Sequence, residues 1–270
     1  QIIDRKSSNS LKWNSYDKDV LPMWVADMDF ISPKPVLEAL HQLVDHGIFG
    51  YPTESEKPSK DLSELIQAII DRMAARYHWT IRAEDILLIP GVVPGFNLAC
   101  HALVGSDEEV LIQPPVYAPI LHAAKNTHIQ KREAALTYLS DGSYAVDLEG
   151  FETTITSKTK LFILCNPHNP VGKVFSRSEL EQMANSCLRR GVTICSDEIH
   201  SDLVFSDSQH IPIASLDAEI AQNCITLIAP SKTFNIAGLQ CSIAIIQNQD
   251  LKRKLSSARQ GLLPWVNLMG

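Results

Sequence analysis

The sequence lacks several features that would assign it to a special class of protein. Its 270 residues include only 12 glycines and 15 prolines, too few for a collagen-like or low-complexity chain. A hydrophobic content of 45% excludes intrinsic disorder. No apolar run approaches the roughly 18–20 residues of a membrane-spanning helix, and a net charge of -7 leaves no basic excess for nucleic acid or an anionic membrane. The sequence therefore predicts a globular protein with no nucleic-acid or membrane partner.

Paired cysteines and targeting signals are also missing. No two of the six cysteines are close enough for a CxxC clamp, and most lie in or beside apolar runs. This pattern is typical of reduced core thiols and argues against a disulfide framework or a zinc site. The first residues contain no basic region followed by an apolar one, so we expect a cytoplasmic protein. The chain begins without methionine and ends within an apolar pattern, so we expect it to continue at both ends.

Short β-branched runs alternate with segments of helical period along most of the chain. This alternation is the pattern of βαβ units and predicts an α/β fold with a mainly parallel sheet. Strands are predicted at 86–90, 109–113, 160–165, 192–196, 224–229 and 241–246, with a weaker one near 128–134. Helices are predicted at 33–46, 60–78, 95–104, 117–126 and 178–190, with another beginning near 249. The first fifty residues lack this alternation and are predicted to form an arm.

One lysine stands out by its surroundings. Lys232 is the single charged residue between Ile220 and Gln249. Burial disfavours the ammonium form and lowers the pKa of a lysine, which suits Schiff-base formation or proton transfer. A lysine in a loop after a buried strand, with its amine reaching solvent, explains the pattern equally well.

Asp197, Glu198 and His200 follow the predicted strand at 192–196. They would lie at the carboxyl edge of the sheet, where α/β proteins bind ligands. A capping aspartate is the main alternative. A metal site is much less favoured, because neither an HExxH motif nor a second His/Cys cluster accompanies these residues.

Three turns at other strand ends can also carry a ligand. Residues 88–95 lead a strand through a glycine turn into a helix, whose free N–H groups suit a phosphate. Residues 165–172 form a proline-rich turn that can hold side-chain amides in fixed positions. Tyr117 stands on a third, proline-containing turn. Each also fits an ordinary loop, and Tyr117 also fits a core tyrosine.

Taken in this order, these segments resemble the fold-type I pyridoxal-phosphate enzymes, the aspartate aminotransferase superfamily. The combination consists of NPHNPVG at 166–172, Asp197 at a strand end and SKT at 231–233. Further segments resemble the MalY/PatB branch, which comprises cystathionine β-lyases and related C–S lyases. They are LPMWVADMDF at 21–30, GIFGY at 47–51, SDEIH at 196–200, SKTFNIAGLQ at 231–240 and LPWVN at 263–267.

The resemblance implies catalytic roles for three residues. Lys232 matches the Schiff-base lysine, whose freed amine would move the Cα proton of the substrate. Asp197 matches the carboxylate that keeps the pyridine nitrogen of pyridoxal 5'-phosphate protonated, so that the ring can accept electrons. Tyr117 matches the aromatic residue that stacks on one face of the ring.

The resemblance also implies a wider cofactor site. Asn169 would bond the phenolic oxygen with Asn166 nearby, and Ile199 would pack on the second ring face. The implied phosphate contacts are Gly91, Val92, Val93, Ser231 and, from a neighbouring subunit, Tyr51. Tyr51 thereby implies a homodimer. His200 and Gln240 stand where many aminotransferases carry Tyr and Arg, a departure that agrees with the lyase branch.

The implied architecture is a three-layer α/β/α large domain at 49–248. An arm and part of a small domain would precede it at 1–48. An interdomain helix and a truncated small domain would begin at 249–270, with the arginine that binds the substrate carboxylate expected beyond residue 270. The implied function is a C–S β-lyase that cleaves cystathionine or another S-substituted cysteine to a thiol, pyruvate and ammonia. The alternatives are an aminotransferase and a regulatory or interaction protein that keeps the fold.

Overall fold

The computed structural model describes residues 3–52 and 59–270. The strands are β1 Ile86–Ile89, β2 Glu109–Ile112, β3 Gln130–Glu133, β4 Thr137–Tyr138, β5 Tyr144–Ala145, β6 Thr159–Cys165, β7 Thr193–Asp197, β8 Cys224–Ile228 and β9 Ser242–Ile245. Seven of them form one sheet in the order β1-β9-β8-β7-β6-β2-β3, and β4 pairs with β5 separately. Strand β9 runs antiparallel to β1 and β8, whereas the pairs from β8 to β3 are parallel. The predicted, mainly parallel sheet is confirmed.

The α-helices lie close to the predicted segments. They are α1 Leu11–Asn14, α2 Lys34–His46, α3 Lys60–Tyr77, α4 Val92–Leu103, α5 Ala118–Asn126, α6 Leu148–Thr154, α7 Arg177–Arg190, α8 Ala218–Gln222 and α9 Gln249–Arg259. Helix α4 begins three residues before the predicted start, because Pro94 fits the first helical turn, where no backbone donor is needed. The sequence analysis did not predict α1, α6, α8 or the β4–β5 hairpin, which are too short to show a period. None of the described helices has the length and apolarity to cross a membrane.

The sheet separates two hydrophobic cores. Successive side chains of a strand point to opposite faces, so β6 contributes Phe162 and Leu164 to one core and Leu161 and Ile163 to the other. Helices α3, α6, α7 and α8 supply buried residues to the first core, and α4, α5 and α9 supply the second. The predicted three-layer α/β/α arrangement is therefore confirmed.

Gly95 determines how closely α4 approaches the sheet. A Cβ atom here would lie 2.6 Å from Cδ1 of Ile89 and 3.1 Å from Cδ1 of Leu227. Gly95→Ala is expected to reduce the free energy of unfolding by about 1–3 kcal/mol, as overpacking usually does. Urea denaturation measures the loss. Gly238→Ala is the control, because nothing lies within 4 Å of its Cβ position, and we expect a change within about 0.5 kcal/mol. Equal losses in both variants would contradict this account of the packing.

Candidate active site

The candidate residues lie at one edge of the sheet. Strands β6, β7 and β8 are parallel, and Asn166, Asp197 and the turn that carries Lys232 lie at or just beyond their carboxyl ends. The N–H of Asn166 donates to the carbonyl of Asp197 at 2.9 Å, which joins two of these strand ends directly. Gly91 and Tyr117 follow β1 and β2 at the same edge. The fold thus gathers motifs that are separated by more than a hundred residues in sequence.

Asp197 is a buried carboxylate. Only 4% of the residue is exposed, and Oδ1 accepts a hydrogen bond from the N–H of Ile199 at 3.2 Å. Burial raises the pKa of Asp197 to about 7, with a further increase from the negative charge of Glu198, while the Ile199 N–H and the charge of Lys232 oppose the rise. No Lys or Arg of the described chain forms an ion pair with it. A protonated ring nitrogen would supply the missing positive partner, so Asp197 fits the cofactor that the resemblance implies.

Glu198 lies next to Asp197 in sequence but has different surroundings. It is 1% exposed and accepts hydrogen bonds from Ser196 Oγ at 2.9 Å, from the Ile213 N–H at 3.3 Å and from His210 Nε2 at 2.9 Å. These partners occupy both carboxylate oxygens. Glu198 therefore stabilises the fold and leaves the ligand edge to Asp197.

Lys232 is partly exposed and lines a cavity of about 500 Å³. The segment from Val25 to Phe30 forms a wall of the same cavity and contacts the lysine, since Lys232 Nζ donates to the carbonyl of Ala26 at 3.0 Å. Burial lowers the pKa of His200, and the charge of Lys232 lowers it further. The same charge opposes the rise in the pKa of Asp197. The charge of Lys232 thus affects the pKa of both Asp197 and His200, as it would if the three residues shared one site.

Tyr117 and the two asparagines are held differently. Tyr117 is 39% exposed, and burial together with the charge of Asp197 raises its pKa. Asn169 is partly exposed, and its backbone N–H donates to Cys165 Sγ at 3.4 Å. Asn166 lies near Asn169, as expected, but it is fully buried. Its amide donates to the carbonyl of Ile211 at 3.3 Å and accepts from the N–H of Phe175 at 3.4 Å. The amide of Asn166 is thus engaged by the fold, whereas Asn169 is partly exposed.

The N-terminus of α4 supplies backbone donors. Gly91 precedes the helix with a φ of 132° and no capping side chain. Its own N–H donates to Ser242 Oγ at 3.1 Å, a contact that the sequence analysis did not find. Within the described residues, the N–H groups of Val92 and Val93 have no such acceptor. These two donors and the positive end of the helix are therefore available to an anion such as a phosphate.

The remaining candidates border this edge. Ile199 packs partly against the core beneath α4, and Ser231 is partly buried beside Lys232. Tyr51 is 91% exposed and contacts the ring of Trp265 edge-on, with ring centroids 5.7 Å apart. Its phenol is therefore free to reach beyond the chain. No cluster of three His, Cys, Asp or Glu side chains suited to a metal occurs in residues 3–52 and 59–270.

Sequence reasoning missed residues that support the site. His168 is buried, and its ring nitrogens lie 3.1 Å from the carbonyl of Cys165 and 3.0 Å from that of Pro115. It thereby links the loops of Asn169 and Tyr117. Asn235 bonds the backbone of the Val25–Phe30 wall. Both residues lie within motifs that the sequence analysis quoted, but their partners are distant in sequence and no local pattern indicates them.

Comparisons with known proteins agree with this geometry. The family model described as Aminotransferase class I and II matches residues 19–263. Cystathionine beta-lyase PatB of Bacillus subtilis is 42% identical over 263 residues, covering 95% of this chain and 66% of PatB. The crystal structure of OvoB superposes with a TM-score of 0.92 at 40% identity, covering 100% of this chain and 69% of OvoB. The PLP-bound C–S lyase from Staphylococcus hominis superposes with a TM-score of 0.88 at 32% identity, covering 100% and 67%.

The chain spans about two thirds of the length of PatB, and 64% of the cystathionine beta-lyase of Corynebacterium glutamicum. The family match extends over nearly the whole chain. It includes each motif at the carboxyl edge of the sheet. The resemblance inferred from the sequence is confirmed, and the chain belongs to the class I and II aminotransferase family.

Proposed function

We propose that this protein is a pyridoxal-phosphate-dependent C–S β-lyase acting on cystathionine or a similar S-substituted cysteine. The observation that carries the proposal is Asp197, a buried carboxylate without a cationic partner in the described chain, at the same sheet edge as Lys232. The relatives named above support it, since PatB is named a cystathionine beta-lyase and the Staphylococcus hominis protein a PLP-bound C–S lyase.

The residues present fit the cofactor. Asp197 would pair with the ring nitrogen, and Lys232 would hold the cofactor through its amine. Tyr117 and Ile199 would pack on the two ring faces, and Asn169 would bond the phenolic oxygen. The phosphate would lie at the N-terminus of α4, contacted by Val92, Val93 and, less directly, Gly91 and Ser231. We place Asn166 behind Asn169 as its support, because its own amide is bonded to the fold.

Pyridoxal phosphate, when bound, supplies an electron sink that stabilises negative charge at the substrate Cα. The chain's own residues do the rest. The Lys232 amine, freed when the amine of the substrate takes its place, would remove the proton from Cα, and Asp197 would keep the ring nitrogen positively charged, which favours electron withdrawal. The C–S bond then breaks at Cβ, and its electron pair leaves with the thiolate. Hydrolysis of the released aminoacrylate gives pyruvate and ammonia.

The assembly and location of the protein belong to the same proposal. Tyr51 is 91% exposed and would reach the phosphate of a neighbouring subunit, so we propose a homodimer. We propose the cytoplasm, because five of the six cysteines are buried as free thiols and the sixth is partly buried. The division into an arm with part of a small domain at 1–48, a large domain at 49–248 and an interdomain helix with a truncated small domain from 249 remains a proposal.

Elimination is distinguished from transamination by one assay. Cystathionine supplied without a keto acid should yield pyruvate, ammonia and homocysteine in equal amounts over many turnovers. Lys232→Ala should lose this activity, because Lys12, the other described lysine that lines the cavity, is paired with Asp29. A reaction that stops after one turnover and resumes when a keto acid is added identifies an aminotransferase instead. Cofactor binding with neither reaction supports a regulatory or interaction protein.

A further inference from the structure

The N-terminal arm, defined here as residues 3–32, is tied together internally. Arg5 forms two hydrogen bonds with the carboxylate of Asp27, at 2.7 and 2.8 Å. Lys12 forms an ion pair with Asp29 at 2.7 Å, and Trp13 Nε1 donates to the same carboxylate at 2.8 Å. Charge-assisted and bidentate contacts of this kind hold geometry well. The arm therefore behaves as a unit whose Val25–Phe30 segment lines the same cavity as Lys232.

The arm is joined to the rest of the described chain chiefly through one residue. Asn235 Oδ1 accepts from the N–H of Met28, and its Nδ2 donates to the carbonyls of Met28 and Phe30, each at 3.0 Å. Ser32 Oγ donates to the Asn235 carbonyl at 3.2 Å. The fifth hydrogen bond of this junction is the one from Lys232 to Ala26. No ion pair crosses the junction within the described residues.

The backbone of Asn235 is adapted to this position. Its φ of 56° lies in the left-handed region, which asparagine tolerates better than most residues. In this conformation the amide meets the backbone of Met28 with both a donor and an acceptor, as a neighbouring strand would. The geometry satisfies three backbone groups of the arm with one side chain.

The turn that bears Lys232 has a separate anchor. Thr233 Oγ1 donates to Asp202 at 2.8 Å, and Arg72 and Arg76 of α3 pair with the same carboxylate. Because this anchor does not involve the arm, loss of the Asn235 side chain would remove three of the five hydrogen bonds of the junction and leave the turn that bears Lys232 anchored.

We propose that Asn235 is a positioning residue that docks the N-terminal arm onto the lysine-bearing turn and so fixes the cavity wall that contacts Lys232. The proposal rests on the proposed function only where it concerns the substrate, which would lie in that cavity. The docking contact itself exists whichever reaction the site performs.

The test is Asn235→Gly, measured in the cofactor-loaded protein by hydrogen exchange. Glycine accepts the positive φ, so the variant removes the side-chain contacts without straining the backbone. We expect exchange of the Met28 amide to accelerate by roughly 10-fold or more, since the lost contacts include its acceptor. The matched control is His128→Gly, at an exposed position with a φ of 58° outside the site. It should leave exchange in residues 25–32 unchanged.

Kinetics and cofactor binding show whether Asn235→Gly changes the position of the arm or damages the protein as a whole. The KM for cystathionine should rise by roughly 10-fold in Asn235→Gly, with kcat and the Kd of pyridoxal phosphate changing by less than about 3-fold. Asn235→Asp keeps the acceptor for Met28 but loses both donated bonds, so its exchange rate should be intermediate. If the glycine variant is poorly folded, the aspartate variant still tests the proposal, because its Met28 amide must then exchange faster than that of the unaltered protein.

Unchanged Met28 exchange in both Asn235 variants would overturn the proposal. Equal acceleration in His128→Gly would also overturn it, because the effect would then come from glycine. Loss of cofactor affinity together with unchanged exchange would assign Asn235 to the lysine turn instead of the arm. None of these outcomes depends on the reaction, so failure of the lyase assignment is distinguishable from failure of the docking role.

Discussion

Replacing Asp197 with asparagine is expected to remove most of the turnover and, at the same time, to stabilise the cofactor-free protein. The carboxylate is the electronic partner proposed for the cofactor, and a charge contact that acts mainly in the transition state contributes about 10²–10³-fold in rate. Without the cofactor the same carboxylate is a buried charge whose pKa is raised to about 7. Asparagine keeps the acceptor for the Ile199 N–H but removes the charge.

The stability effect has a defined pH range. Because the pKa of Asp197 is 3.8 in the unfolded chain and about 7 in the folded one, the folded state holds the proton more tightly. The free energy of unfolding of the cofactor-free protein therefore contains a term that falls as the pH rises from about 4 to about 7. The full term is on the order of 4 kcal/mol above pH 7. Asp197→Asn should lack this decline.

Denaturant unfolding of the cofactor-free protein between pH 4 and pH 8 measures the term, and pyruvate release measures turnover. Asp207→Asn is a suitable control, since Asp207 is an exposed aspartate in the loop after the site. The same pH dependence in Asp197→Asn and the unaltered protein would show that Asp197 is ionised at no cost in the fold. Normal turnover in the variant would remove Asp197 from the proposed mechanism.

Replacing Glu198 with alanine is expected to destabilise the fold by about 3–5 kcal/mol, because three buried donors lose their acceptor. The change leaves His210 Nε2, Ser196 Oγ and the Ile213 N–H without their acceptor in a site that is 1% exposed. Thermal or urea unfolding measures the loss. Cofactor absorbance of the protein that remains folded should be nearly normal.

Glu198→Gln distinguishes the loss of one acceptor oxygen from the loss of the whole carboxylate group. Glutamine has nearly the same volume and keeps one acceptor oxygen, so we expect a loss of about 1–3 kcal/mol, smaller than that of alanine. The two carboxylates are therefore expected to respond differently. Asp197→Asn loses activity and gains stability, whereas the Glu198 variants lose stability. If Glu198→Ala were stable and inactive while Asp197→Asn were active, the two carboxylates would have exchanged roles.

The outline of the fold could be predicted because it depends on local patterns. Six strands of the main sheet show as short apolar runs, and their predicted bounds differ from the structure by at most one residue at either end. The polar strand β3 was predicted only as a weaker segment near 128–134. Helix α7 has both a serine N-cap at Ser176 and a glycine stop at Gly191, and its limits were predicted within one residue. The two-residue strands β4 and β5 and the short helices α1, α6 and α8 carry too little pattern to be found.

The sequence predicts the chemistry of the candidate site, and the structure shows what each of its residues contacts. The sequence by itself determined the parallel sheet, the isolated Lys232 and the motifs that identify the family. The resemblance assigned the ligand role to Asp197, but the sequence could not show that Glu198 is engaged by Ser196, His210 and Ile213, because those contacts form only in the fold. Nor could it show that the amide of Asn166 is engaged, or that Asn235 docks an arm 207 residues away in sequence. Local patterns report the periodicity of one segment, whereas the partner of a buried polar group is fixed only when distant segments meet.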